Sequence, residues 1–143
     1  MSNEAVLAET DAEVARALEG LITWIRQSRQ PQDLSVSALG VLSRLEALGP
    51  TRVTELAERE GLSQPGTTTL VNRLVAADYA TRGSDAADGR VVLVAITPEG
   101  VSRLHAYREG RSQLVASRLK LLSPADRDAL QKALPALEHI VAE

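Results

Sequence analysis

The stretch Ser63 to Thr97, SQPGTTTLVNRLVAADYATRGSDAADGRVVLVAIT, leaves little freedom in what this chain can fold into. Ser63 is a good N-cap, because its hydroxyl can accept from an otherwise unpaired backbone N–H, and Pro65 suits a first helical turn, where a missing N–H costs nothing. Leu70, Val71, Leu74 and Val75 then recur at helical spacing and turn one face inward. The other face carries Gln64, Pro65, Gly66, Thr68, Thr69, Asn72 and Arg73 and is small, polar and nearly flat. A face of that kind can lie on base edges: glutamine can pair with adenine, a threonine methyl can touch a thymine methyl, and arginine can reach guanine or phosphate. An ordinary solvated helix face has the same composition, so the flanking segments have to decide.

Upstream, TRVTELAEREGLS reads as a shorter helix capped by Thr51, with Val53, Leu56 and Ala57 inward and Gly61 ending it in a tight turn. A helix, a glycine-containing turn and a second helix make a helix-turn-helix, whose second helix enters the major groove. Downstream, Tyr79 to Ser84 and Arg90 to Ile96 have strand character, with Asp88-Gly89 as the turn signal between them. A hairpin directly after a recognition helix is a wing. The expected fold is therefore mostly α with a small β-hairpin wing, a winged helix-turn-helix.

On VTELAEREGLSQP, LVNRLVAADYATR and above all DGRVVLVAITPEG, the chain resembles the multiple-antibiotic-resistance regulator (MarR) family of bacterial transcription factors. The last segment matches that family's wing pattern of Asp-x-Arg followed by a strand, a threonine and a glycine. The resemblance covers the whole chain and implies long N- and C-terminal helices around the winged helix. It also implies a homodimer that binds a two-fold DNA operator, most often as a repressor, and is released by a small-molecule effector. Such an effector would bind between the dimerisation helices and the winged-helix lobe. The expected DNA-binding residues are Ser63, Gln64, Pro65, Gly66, Thr68, Thr69, Arg73, Asp88 and Arg90, with Asp88 holding the Arg90 guanidinium in a fork-like pair. Three departures from the family pattern lower the expected strength of DNA contact: Thr69 stands where arginine is frequent, Gly66 is a poor helix former, and Ala86-Ala87 occupy a wing tip that is often basic.

The flanking segments fit this plan. From about Ala5 to Gln27 one amphipathic helix carries Leu7, Val14, Leu18, Leu21 and Ile25 at coiled-coil-like spacing, and the linker RQPQDL with Pro31 breaks it. Ser35 can cap a second helix through Leu48, with Val36, Leu39, Leu42 and Leu45 inward and Gly49-Pro50 closing it. Thr97-Pro98-Glu99 opens a long helix to about Leu122, and Ser123-Pro124 opens a last one with Leu130, Leu134, Leu137 and Val141 in a stripe. Leaving both terminal stripes exposed would give a monomer a large apolar patch, which burial across a two-fold axis removes. Val14, Leu18, Leu21, Leu130, Leu134 and Leu137 are the expected dimer interface. The 143 residues form a single MarR-type domain on this reading, with 1–30 and 98–143 as dimerisation helices and 35–97 as the winged lobe.

Composition then narrows the function. With no cysteine, thiolate zinc sites, disulfides and cysteine redox sensing are excluded, and two histidines, His105 and His139, make a metal site improbable. No cofactor is expected. No segment reads as a membrane span or signal peptide, so the expected location is the cytoplasm. The net charge is −3, and within 51–97 five arginines face six acids, so a positive surface has to come from placement. No nucleophile elbow, phosphate loop or carboxylate pair suggests an enzyme. The alternative is an adaptor whose winged helix contacts protein; a wing arginine with an acid two residues earlier favours DNA. The residues leave the effector site unknown. Trp24 reads first as a helix-packing residue, while Arg16 and Arg26 could meet an anion.

Overall fold

The computed structural model of the chain describes residues 3–28 and 34–142, with side chains from residue 9 onward. Its elements run α1 (Asn3–Gln27), α2 (Val36–Leu48), α3 (Val53–Glu60), α4 (Gln64–Ala76), β1 (Ala80–Ser84), β2 (Val92–Ile96), α5 (Pro98–Leu119) and α6 (Pro124–Val141). They form two compact units, 1–108 and 109–143. The linker 29–33 and the Leu7 side chain, both named above, lie outside the described residues.

The core of the first unit gathers one or more side chains from every element between α2 and the first turns of α5. Leu39, Val41, Leu42 and Leu45 of α2 meet Leu56 of α3, Val71 and Leu74 of α4, Ala80 and Val94 of the two strands, and Leu104 of α5. Burying each of these large aliphatic side chains contributes on the order of 1.5–3 kcal/mol. The inward stripe of α2 differs from the expected one at three positions: Val36 is 56% exposed, and Ala38 and Val41 are buried in addition to the three leucines. At about 100° per residue, Val36 falls on the side of the helix opposite that stripe.

Caps define most helix boundaries. The Ser35 hydroxyl accepts from the Ala38 N–H at 3.1 Å, and the Ser123 hydroxyl accepts from the Asp126 N–H at 3.1 Å. Gly61 ends α3 with φ 62°, a left-handed conformation that glycine adopts without steric cost. Thr51 behaves differently from expectation. Arg52 stands at the N-cap of α3 with no side-chain cap bond, whereas Thr51 is buried and exchanges two backbone hydrogen bonds with Val94, each 2.9 Å. Its hydroxyl donates to the Gly49 carbonyl at 2.8 Å. Thr51 thus lies along the free edge of β2 as a one-residue third strand, because an extended residue there satisfies backbone groups that a capping role would leave unpaired.

The wing pairs antiparallel from Ala80↔Ile96 to Ser84↔Val92. Its tip is longer than a two-residue turn. Asp85 N–H donates to Val91 O at 2.9 Å, Val91 N–H donates to Asp88 O at 3.0 Å, and the Asp85 carboxylate accepts from the Ala87 N–H at 2.9 Å. These bonds draw residues 85–91 into a loop, so β2 begins at Val92 and not at Arg90. α5 closes the lobe: the Thr97 hydroxyl donates to Asp78 O at 2.5 Å and accepts from the Gly100 N–H at 3.0 Å. α5 ends at Leu119, three residues before the expected Leu122, as Leu121 and Leu122 turn back on Arg118 and Leu119.

Among the described residues neither terminal helix fully buries its stripe within the chain, where Leu18, Ile25 and Leu137 are half-buried. Val14 and Leu21 of α1 are exposed, and α6 has no buried residue, with Leu134 at 50% exposure. Pro135 lies inside α6, where it removes one helical N–H. No helix among the described residues is long and apolar enough to cross a membrane.

Candidate nucleic-acid interface

The expected reading residues of α4 lie on the exposed side of that helix. Ser63 caps α4 by accepting from the Gly66 N–H at 3.2 Å, and Gln64, Pro65, Gly66, Thr69, Asn72 and Arg73 are exposed along the helix. Thr68 is half-buried. Beneath them Thr67, Val71 and Leu74 are buried and tie the helix to the core. Thr67, at 0% exposure, is a core residue absent from the sequence-based stripe. Its spacing of four to Val71 and seven to Leu74 is the signal that places it there, and its hydroxyl is satisfied by the Ser63 carbonyl at 3.0 Å.

Gly66 is tied to the cap. A Cβ on Gly66 would come within 2.9 Å of Ser63 Oγ, the oxygen that caps the helix. A poor helix former therefore sits in the first turn because a side chain there would crowd its own N-cap.

On the wing, Arg90 is 95% exposed at the side chain. The Asp88 carboxylate accepts from the Arg90 backbone N–H at 3.1 Å, and the same oxygen faces Arg90 Nε at 3.5 Å. This single-oxygen arrangement replaces the fork-like pair expected from spacing. Asp88 shapes the tip backbone first and steadies the guanidinium only weakly, so Arg90 keeps its full complement of Nη donors for another group.

The distribution of ion pairs resolves the unfavourable charge count. Glu55 pairs with Arg59 at 2.9 Å, and Glu60 with Arg44 of α2 at 3.0 Å. Among the described residues Arg52, Arg73 and Arg82 form no ion pair. Two of the acids on α3 are thus neutralised locally, while the cations on α4 and β1 remain available. Arg82, opposite Val94 in the wing register, is an exposed cation missing from the expected site residues; its place in a short strand gave it no helix-face signal. The site bears no resemblance to a metal centre: no group of three or more His, Asp or Glu among the described residues could hold an ion. On α1, Arg16 and Arg26 are exposed and Trp24 is half-buried.

Comparison with known proteins agrees with this geometry. The MarR family model matches residues 32–91, which span α2 to the wing tip. The HTH-type transcriptional regulator YfiV of Bacillus subtilis is 32% identical over 108 residues, 75% of this chain and 67% of that protein. The HTH-type transcriptional regulator Mb0904 of Mycobacterium bovis is 29% identical over 143 residues, 96% of this chain and 99% of that one. Among solved structures, the transcriptional regulator Tm0710 of Thermotoga maritima superposes with a TM-score of 0.76 at 23% identity, over 90% of this chain and 94% of that one. A helix-turn-helix with a buried Thr67–Val71–Leu74 stripe, a two-stranded wing locked to α5 and relatives named as HTH-type transcriptional regulators converge on one assignment: the chain belongs to the MarR family of winged helix-turn-helix transcriptional regulators.

Proposed function

We propose that the protein acts in the cytoplasm as a homodimeric repressor that binds a two-fold DNA operator and is released by a small ligand. The observation that carries the DNA reading is the exposed face of α4, held on a buried stripe, beside a wing whose Arg90 is almost fully exposed. In a dimer each α4 enters a major groove, with half-sites about 34–36 Å apart. Each wing places Arg90 against the neighbouring minor groove or its phosphates. The stripes on α1 and α6 support the dimer, since Val14, Leu21, Leu130 and Leu134 are exposed and Leu18 and Leu137 only half-buried, apolar surface that a single chain leaves open.

Two relatives support the finer points. The Bacillus subtilis protein MdtR, 28% identical over 82% of this chain and 71% of its own length, is named a transcriptional repressor. The Bordetella bronchiseptica protein BpsR shares the fold, with a TM-score of 0.59 at 23% identity over 93% of this chain and 94% of that one, and its DNA binding is regulated by 6-hydroxynicotinic acid.

Fluorescence anisotropy with duplex DNA taken from upstream of the protein's own gene, measured over a salt series, tests the reading. A specific duplex should bind with a Kd of about 10⁻⁸–10⁻¹¹ M at physiological salt, roughly 10³-fold or more below that of random duplex. If neither this DNA nor any duplex selected from a random pool is retained, the winged helix serves protein contact and the repressor reading falls.

A further inference from the structure

On the reading that α4 lies in a major groove, we propose that Thr69 contributes to its sequence preference through apolar contact between its methyl group and the C5 methyl of thymine, and not through a hydrogen bond from its hydroxyl. The hydroxyls of Thr68 and Thr69 donate to the carbonyls of Gln64 and Pro65 at 3.0 and 3.1 Å. Each hydroxyl has one proton, so neither has a proton left for a base. Pro65 carries no N–H at all, and the Gly66 N–H is taken by Ser63 Oγ. Beyond the cap itself, Gln64 is the only side chain between 63 and 69 whose donors are uncommitted among the described residues.

Position points the same way. At about 100° per residue, Pro65, Thr69 and Asn72 lie opposite the buried Thr67–Val71–Leu74 stripe, so Thr69 stands near the middle of the outward face. Staggered geometry separates the Thr69 methyl from its committed Oγ1 by about 120°. The centre of the reading face is therefore a proline ring and a methyl group with the Asn72 amide one turn on, flanked by the Gln64 amide on one side and the Arg73 guanidinium on the other. In the major groove the thymine C5 methyl is the apolar group that direct readout recognises.

The test uses the full-length protein, a duplex selected from a random-sequence pool, and copies of that duplex in which single thymines are replaced by deoxyuridine. At least one replacement per half-site should weaken binding by the wild type about fourfold, the value of one buried methyl group. Thr69→Val keeps a methyl and drops the hydroxyl, and it should retain that uracil penalty. Thr69→Ser keeps the hydroxyl and drops the methyl; it should bind the thymine and uracil duplexes alike. If Thr69→Ser keeps the penalty and Thr69→Val loses affinity, the hydroxyl is the reading group and the proposal is overturned. If the wild type binds the selected duplex and no uracil replacement weakens it, the proposal fails while the DNA-binding reading stands. Failure to select any duplex removes both.

Discussion

At the scale of the residue, two glycines carry constraints that composition hides. A Cβ on Gly100 would strike the Tyr79 carbonyl oxygen and come within 2.8 Å of Ile96 Cγ1, where the first turn of α5 meets the entry to the wing. Tyr79 O is already held there by the Thr97 N–H at 3.1 Å, so the backbone has little room to retreat. Gly100→Ala should destabilise the protein by about 3 kcal/mol, the upper range of overpacking, and lower Tm by roughly 6–12 °C on the scale of a chain this size; differential scanning calorimetry measures it. Gly66 presents a balance instead. Alanine gains up to about 1 kcal/mol over glycine within a helix, while displacing the Ser63 cap costs about 1 kcal/mol. Gly66→Ala should accordingly be nearly neutral in the parent and stabilising by about 0.5–1 kcal/mol in a Ser63→Ala background, where no cap remains to lose. Urea denaturation of the four proteins in that cycle decides it, and equal effects in both backgrounds would dissociate Gly66 from the cap.

Between elements, α2 acts as the brace of the lobe. Its Arg44 reaches Glu60 at the end of α3, and its Glu46 reaches α5, where one carboxylate oxygen contacts His105 Nε2 and the other accepts from Arg108 Nη1 at 2.6 Å. Arg108 Nη2 also donates to Ser43 Oγ at 2.9 Å. The hydrogen bonds from Arg108 first, and then from His105, hold the Glu46 carboxyl below the usual carboxylate range. A carboxylate depressed in the folded state stabilises above its unfolded value and loses that contribution as pH falls through the folded one. Wild type should therefore exceed Glu46→Gln in Tm near neutral pH, with the gap closing on acidification below the ordinary carboxylate range; a gap that grows in acid would reverse the assignment. None of these links between α2, α3 and α5 was legible in the sequence, because their partners are separated by 16 to 65 positions and no local periodicity reports them. What the sequence does report is local. The caps at Ser35, Ser63 and Ser123, the Gly61 turn and the hairpin were all readable, since each is set by residues within a few positions. Thr51 and Thr67 were misread or missed for one reason: threonine sits comfortably at a cap, in a strand or in a core once its hydroxyl finds a carbonyl, and only the tertiary neighbours choose.

For the whole molecule, charge and apolar surface pull on different assemblies. The net charge of −3 works against nonspecific attraction to DNA, so affinity has to come from a few placed arginines. If Arg73, Arg82 and Arg90 each neutralise one phosphate in both protomers, the slope of log K against log salt is about −5, at roughly 0.9 per phosphate. Arg90→Ala should then flatten it by about 1.8 and weaken all duplexes alike, whereas Gln64→Ala should relax sequence preference with the slope intact. A steep slope that survives the loss of Arg90 would place the charge contact elsewhere. The dimer is tested separately, through a residue remote from the reading head. Leu134 is half-exposed in the single chain and lines a groove with Leu119, Arg127, Leu130 and Gln131, so aspartate there costs the isolated chain little. In an isologous dimer the same change occurs twice. Losing about 1.5–3 kcal/mol of burial at each copy corresponds to a dimer Kd raised by about 10²–10⁴-fold. Sedimentation velocity of Leu134→Asp should show monomer at concentrations where the parent is a dimer, while the near-neutral thermal transition of the winged lobe persists because its core lies in α2 to β2 and the start of α5. A parent protein that sediments as a folded monomer would remove the dimer and, with it, the two-fold operator.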